Sequence, residues 1–426
     1  METRKQPGSE PAGSTRDRYA LSALDYAFSI RQCVVGAQML FIAFGALVLV
    51  PILTGLDPNV ALFTAGLGTL AFQICTKGRV PIFLASSFAF IAPMQYGIKH
   101  WGVSGTMCGV VASGLVYLLV SALVRARGIK AVYKILPPIV TGPVIMVIGL
   151  SLAPVAVNMA LGKTASLPIS TALPIAMLSL AVTVLVSICG SGVFRLVPIL
   201  MGIVTGYGVS VMAGIVDFSG IASAAWFGLP SFTAPTWNLQ AIILFVPVAI
   251  APTIEHVGNV LAIGSITGKN YAENPGLQAT ILGDGIATSL AGLFGGPPNT
   301  TYAEVSGGVA LTRAFNPAVM TWAAMTALAL SFVTKLGAVL QSIPTPVMGG
   351  IMVLLFGAIC VVGMNILVRA GDDLMLPRNM SIVAVVLVFG IGGMVFRAGD
   401  FILEGIGLAG MTGILLHQIL PQGREG

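Results

Sequence analysis

The sequence predicts an all-α polytopic membrane protein with fourteen transmembrane segments arranged as a 7+7 inverted repeat, and three observations carry that expectation. First, the 426 residues are 56% hydrophobic and only 8% charged, with a mean hydropathy of +0.96. Soluble domains carry about 25% charged residues, so no water-exposed globule can be assembled from this composition. Second, the apolar residues recur from about position 33 to position 420 in blocks close to the roughly 20 residues that a bilayer-crossing helix needs. Third, Lys and Arg gather on one side of the membrane only if every block is a crossing.

These observations exclude a soluble enzyme. They also exclude a nucleic-acid partner, because the net charge of +6 comes from basic residues scattered singly between apolar runs. The five cysteines, Cys33, Cys75, Cys108, Cys189 and Cys360, are widely separated and have neither a disulfide framework nor metal-ligand spacing. Residues 1–28 are polar and rich in Gly, Pro, Ser and Arg, and read as a disordered cytosolic tail.

In chain order the segments lie near 33–54, 59–76, 80–97, 102–124, 137–160, 170–190 and 196–216. After a loop over 217–238 they resume at 239–262, 276–295, 297–312, 316–340, 345–368, 380–396 and 401–420. The third and tenth are short and interrupted by proline, glycine and small polar residues. With the N-terminus in the cytosol, 17 of the 21 Lys and Arg fall on the cytosolic side, and only Lys99, Lys163, Lys335 and Arg397 fall outside. Reading either interrupted segment as a surface loop would move every later charge across the membrane and erase the bias. Both termini are therefore expected in the cytosol.

Seven is odd, so the second half enters the membrane from the opposite face. Inverted repeats with a discontinuous element at matching positions are common in secondary transporters, whose broken helices expose backbone groups to a substrate at the midplane. The third segment reads Val80-Pro81-Ile82-Phe83-Leu84-Ala85-Ser86-Ser87-Phe88, and the tenth Pro297-Pro298-Asn299-Thr300-Thr301-Tyr302-Ala303-Glu304. Each is expected to form a short β-strand that feeds a half-helix, aiming N–H groups and a positive dipole end at the protein centre.

Glu255, Asp284 and Glu304 lie inside predicted spans. Each costs about 2.5–3.5 kcal/mol at the centre of a span, and no Lys or Arg lies deep enough to pair with them. Protonation, hydrogen bonding and charge balance by a ligand remain as ways to offset that cost. On a helix Glu255 shares a face with Asn259, while His256 points about 100° away. His256 is read either as a proton relay or as a helix-to-helix hydrogen-bonding residue, and Asp284 either as a buried packing group or as part of a pathway. Glu304 stands beside the second break and is the foremost ligand candidate. Phe88, at the first break, offers an aromatic face to a planar ring.

At these residues the chain resembles a known family. Ile254-Glu255-His256-Val257-Gly258, Gly296-Pro297-Pro298-Asn299-Thr300-Thr301-Tyr302-Ala303-Glu304, Ser86-Ser87-Phe88-Ala89-Phe90, Phe44-Gly45-Ala46 and Ile343-Pro344-Thr345-Pro346 are similar to motifs of the nucleobase/ascorbate transporter family, closest to its bacterial uracil permeases. The likeness runs from about Gln38 to the C-terminus. It implies a core domain over 29–124 and 239–340, a gate domain over 125–216 and 341–420, and a homodimer formed through the gate. It implies proton-coupled uptake of uracil or a related pyrimidine, with no cofactor and no metal. Glu255 and Glu304 would accept ring N–H bonds, and backbone N–H groups near Phe88 and Ala303 would meet the carbonyl oxygens. Ser87, Tyr302, Ala46 and Phe356 would complete the site, and Glu255, Glu304, His256 and Asn259 would be the positions tied to proton coupling.

The chain departs from the family pattern in four places. Val305 replaces an Asn, and Asn259 stands where uracil permeases commonly have a His and brings no titratable group. Met39 follows Gln38 where the family usually has Gln-His, and Phe356 lacks the hydroxyl of a Tyr found in some members. A xanthine or purine carrier is the competing reading within transport. An inorganic-anion carrier is opposed by the carboxylate at Glu304. An intramembrane hydrolase is opposed by His100, His256 and His417, which have no ligand spacing. A channel is opposed by the two discontinuous elements.

Overall fold

Proline opens several helices and glycine closes others, as expected where a helix must start without an N–H partner and stop in a left-handed residue. The computed structural model describes residues 26–128, 134, 136–192, 194–398 and 401–421. The expected tail lies outside the described residues up to position 25, and so do Arg4, Lys5, Arg16, Arg18, Lys130 and Arg424 of the charge bias.

The first half contains α1 (Cys33–Thr54), α2 (Pro58–Cys75), β1 (Leu84–Ser86), α3 (Ile91–Arg127), α4 (Pro138–Ala160), α5 (Ile169–Cys189) and α6 (Pro198–Met212). Gly55, at φ 76°, closes α1, and Gly102, at φ 69°, breaks α3. The short α7 (Ser219–Ser223) lies in the loop between the halves. There the backbone N–H of Ser219 holds the Asp217 carboxyl below the usual carboxylate range. The second half contains α8 (Leu239–Val248), α9 (Ile250–Thr267), α10 (Leu277–Phe294), β2 (Asn299–Thr301), α11 (Ala303–Thr312), α12 (Ala318–Ser331), α13 (Thr334–Gln341), α14 (Thr345–Ala370), α15 (Pro377–Ile391), the hairpin β3 (Val395–Ala398) and β4 (Phe401–Glu404), and α16 (Gly405–Ile419).

Among the described residues, eight helices are long and apolar enough to cross a membrane, and the bent pair of α12 and α13 makes a ninth. The remaining expected segments fall short for physical reasons. The stretch from Phe88 through α3 holds two expected segments, which meet end to end at the non-helical residue Gly102. The tenth is half strand, and α6, α15 and α16 are shorter apolar helices. One interruption was not expected: the eleventh segment bends by 85° between Ser331 and Thr334.

The helices pack in two groups. In one, α10 packs on α2 and α3, α12 on α1 and α2, and α8 on α3; in the other, α14 packs on α4 and α5, α5 on α6, and α15 and α16 on α4 and on each other. Small residues permit a close approach of α4 and α14. A Cβ on Gly142 would lie 2.9 Å from the Gly363 carbonyl oxygen, and one on Gly363 would lie 2.6 Å from that of Gly142. Exposed Met177, Leu185, Val361 and Val388 form apolar outer faces suited to lipid.

Candidate substrate site at the strand crossing

Both interrupted segments contain the expected strand, and the two strands pair antiparallel, Leu84 with Thr301, Ala85 with Thr300 and Ser86 with Asn299. Three-residue strands leave many backbone groups unpaired, and inside a bilayer each needs a partner. Neighbouring helices supply them. Thr69 Oγ1 on α2 accepts from Leu84 N at 3.0 Å, and Gln73 Nε2 donates to Val80 O at 3.0 Å. On the other side, Thr288 Oγ1 on α10 donates to Asn299 O at 2.7 Å, and Asn299 Nδ2 donates to Thr64 O at 2.9 Å. Ser87 N donates to Pro298 O at 2.8 Å and ties the two breaks together.

The chain leaves each strand into a helical turn. Ser87 precedes the turn Phe88–Phe90 that leads into α3, and Tyr302 precedes α11; neither residue makes a side-chain cap. Neither half-helix therefore has its first N–H groups capped by the preceding side chain, and the positive end of each dipole points back toward the strand crossing. The Ser86, Ser87 and Ser306 hydroxyls and the Tyr302 hydroxyl are buried nearby without a hydrogen-bond partner.

Glu304 occupies the first turn of α11 and is exposed, although its neighbours Tyr302, Val305 and Ser306 are buried. Gly307, Ala310 and Leu311 continue that open face along α11 toward Arg313. On α9, half-buried Glu255 begins a second open face through Gly258, Ala262 and Ser265 toward Lys269. The α11 face ends at a cavity of about 830 Å³ lined by Gln32, Gln38, Arg195, Leu311 and Asn316. Glu255 feels the charges of Glu304 and Asp284.

The aromatic candidates gather as expected. The Phe88 ring is 9% exposed, with centroids 6.3 Å from Tyr302 and 6.4 Å from Phe356. Ala46 is fully buried, and its backbone lies beside the Tyr302 hydroxyl. The Ala303 backbone is the first residue of α11.

His256 and Asn259 face strand β2. Asn259 Nδ2 donates to Thr301 O at 2.8 Å, and His256 Nδ1 lies 3.2 Å from Asp284 Oδ2. Asp284 is buried, at 1% exposure. Among the described residues no group of three or more His, Cys, Asp and Glu could hold a metal ion. Sequence reasoning missed Thr69 and Thr288. Within an apolar span, threonines that anchor another element look the same as those that bond back to their own helix, as Thr267 does to Ile263 O.

A permease-family model of the xanthine/uracil type matches residues 31–399. The chain is 54% identical over 395 residues to a probable uracil permease of Pasteurella multocida, covering 93% of this chain and 95% of that one. It is 45% identical to a uracil permease of Bacillus caldolyticus, covering 90% of each. In fold it is similar to the murine Solute Carrier 26 family member A9 anion transporter in the inward-facing state, with a TM-score of 0.66 at 13% identity, covering 97% of this chain and 73% of that one.

Proposed function

The chain belongs to the xanthine/uracil permease family, and from that premise we propose that it takes up uracil, or a closely related pyrimidine base, across the cytoplasmic membrane by proton-coupled alternating access. It is a permease and not an enzyme. Two carboxylates and two uncapped half-helices at one strand crossing carry the reading. Uracil has two ring N–H donors and two carbonyl acceptors, and this site alternates acceptors with donors in the complementary way. In the proposed complex Glu255 and Glu304 accept the ring N–H bonds, and the N–H groups at Phe88 and Ala303 meet the carbonyls. The base lies against Phe88, with Tyr302, Phe356, Ala46 and Ser87 around it. Each hydrogen bond to a charged group contributes about 1.5–3 kcal/mol.

Antiparallel pairing of β1 with β2, together with packing of α2 on α10 and of α4 on α14, is what a two-fold axis in the membrane plane predicts for fourteen spans in two inverted sevens. The two packing groups correspond to a core of 29–124 and 239–340 and a gate of 125–216 and 341–420. The core would carry the base past the gate, and two protomers would associate through the gate. The open faces of α9 and α11 run toward Lys269 and Arg313, on the side assigned to the cytosol along with both termini, so the site opens inward. Glu255 and Glu304 carry the proton, with His256 and Asn259 beside them, because an uncompensated carboxylate is costly to move through the low-dielectric region.

Labelled uracil uptake into proteoliposomes under an imposed pH gradient tests the reading. Uptake should rise when the outside is acidic and collapse with a protonophore; indifference to both would remove the proton coupling. Xanthine should not displace bound uracil, and displacement would favour the purine carrier.

A further inference from the structure

Behind the crossing, two buried titratable groups join into one unit. His256 on α9 and Asp284 on α10 are each 1% exposed. His256 Nδ1 lies 3.2 Å from Asp284 Oδ2 and 3.4 Å from Thr301 Oγ1. Asn259 Nδ2 reaches the same hydroxyl at 3.3 Å and the Thr301 carbonyl at 2.8 Å. Thr301 ends β2 and stands three residues before Glu304. The second atoms of the pair, His256 Nε2 and Asp284 Oδ1, are buried without a close hydrogen-bond partner, and so is the Tyr117 hydroxyl, while the Thr300 side chain lies against the Asp284 carboxyl.

We propose that His256 and Asp284 are positioning residues that bind one exchangeable proton between them and, through Thr301, make the half-helix bearing Glu304 respond to it. This rests on the transport reading above. With the Nδ1 hydrogen directed at Asp284, the pair carries one negative charge and leaves two atoms free to accept a proton, Nε2 and Oδ1. A proton on either atom makes the pair neutral; only an N–H or O–H bond forms, and the proton comes from water and returns to it. Burial makes the choice between the charged and neutral states consequential. The titratable groups around the pair are Glu255 on α9 and Tyr117 on α3, both sensing the Asp284 charge, and Glu304 on α11, which acts on Glu255. From α2, Phe72 presents a ring edge to His256 at 6.3 Å and brings no charge. A change in the hydrogen bonding of Nδ1 reaches Thr301 directly, and Thr301 fixes where β2 ends and α11 begins.

The experiment uses the full chain in proteoliposomes and measures the KM and maximal rate for labelled uracil from pH 5 to 8. Asp284→Asn keeps the shape and removes the charge. It should flatten the pH dependence of KM by threefold or more while changing the maximal rate less. Asp284→Asn combined with His256→Gln should bring KM back toward wild type at one pH, because two amides can still bridge to Thr301, without restoring the pH dependence. If Asp284→Asn does not fold, His256→Gln alone carries the same expectation. A variant that loses maximal rate or folded protein and keeps the wild-type pH profile of KM overturns the proposal and leaves a packing pair. Wild-type protein that binds no uracil overturns the transport reading and this inference together, whereas wild-type binding with an unchanged variant profile overturns this inference alone.

Discussion

At the first break the chain reads Leu84-Ala85-Ser86-Ser87-Phe88, and at the second Asn299-Thr300-Thr301-Tyr302-Ala303-Glu304. The backbones match: a three-residue strand, an extended uncapped residue and a helical turn. The side chains do not. The first break offers an aromatic ring and no charge, while the second carries polar side chains through its strand and a carboxylate in its first helical turn. The imbalance extends further, since Glu255 and Asp284, the other two acids within predicted spans, also lie in the second half. What the two breaks share is backbone: a paired three-residue strand and an uncapped helical turn. The carboxylates that we propose to meet the base and to hold the proton lie in the second half only.

The largest effect should come from removing that asymmetry. Glu304→Gln preserves the shape and one acceptor oxygen but loses the charge, and should weaken uracil binding by about 10- to 100-fold, the equivalent of one charge-assisted hydrogen bond. Calorimetry on purified protein checks this. Unchanged affinity would mean that the second half is not the recognising one. At the first break, Phe88→Ala should cost about threefold to tenfold in affinity, in keeping with the 0.5–1.5 kcal/mol that an aromatic contact adds beyond its area. Phe88→Tyr should retain most of it. If Phe88→Ala outweighs Glu304→Gln, the division of labour is reversed.

Much of this was legible in the sequence because membrane spans obey few rules. Blocks such as 33–54 and 345–368 declare themselves by length and composition. The breaks at Pro81 and Pro297-Pro298 were visible because proline and small polar residues are out of place in a continuous span. The 85° bend at Phe332-Val333 was not visible, because these residues are as compatible with a helix as their neighbours and tertiary packing decides the matter. For the same reason the carboxylates at the site could be found, since charge in a membrane is costly enough to need a purpose. Thr69 and Thr288 could not, since a threonine costs little in a span and its partner is set only when the strands arrive.

Those two threonines give the finest test of the comparison between the halves, because they anchor the two paired strands from α2 and α10 with opposite hydrogen-bond polarity. Thr69 Oγ1 accepts from the Leu84 N–H, whereas Thr288 Oγ1 donates to the Asn299 carbonyl. Valine at either position keeps the shape and removes the hydroxyl. Thr69→Val leaves a buried N–H with no acceptor, and should cost about 1–3 kcal/mol of stability. Thr288→Val leaves a carbonyl short of one bond, a milder defect because a carbonyl tolerates incomplete pairing better than an N–H, and should cost about 0.5–1.5 kcal/mol. Thermal unfolding in detergent, read against wild type, should therefore rank Thr69→Val below Thr288→Val. The reverse order would mean that the second strand, the one that leads to Glu304, depends more on its anchor than the first, and that the polar half is held as well as equipped differently.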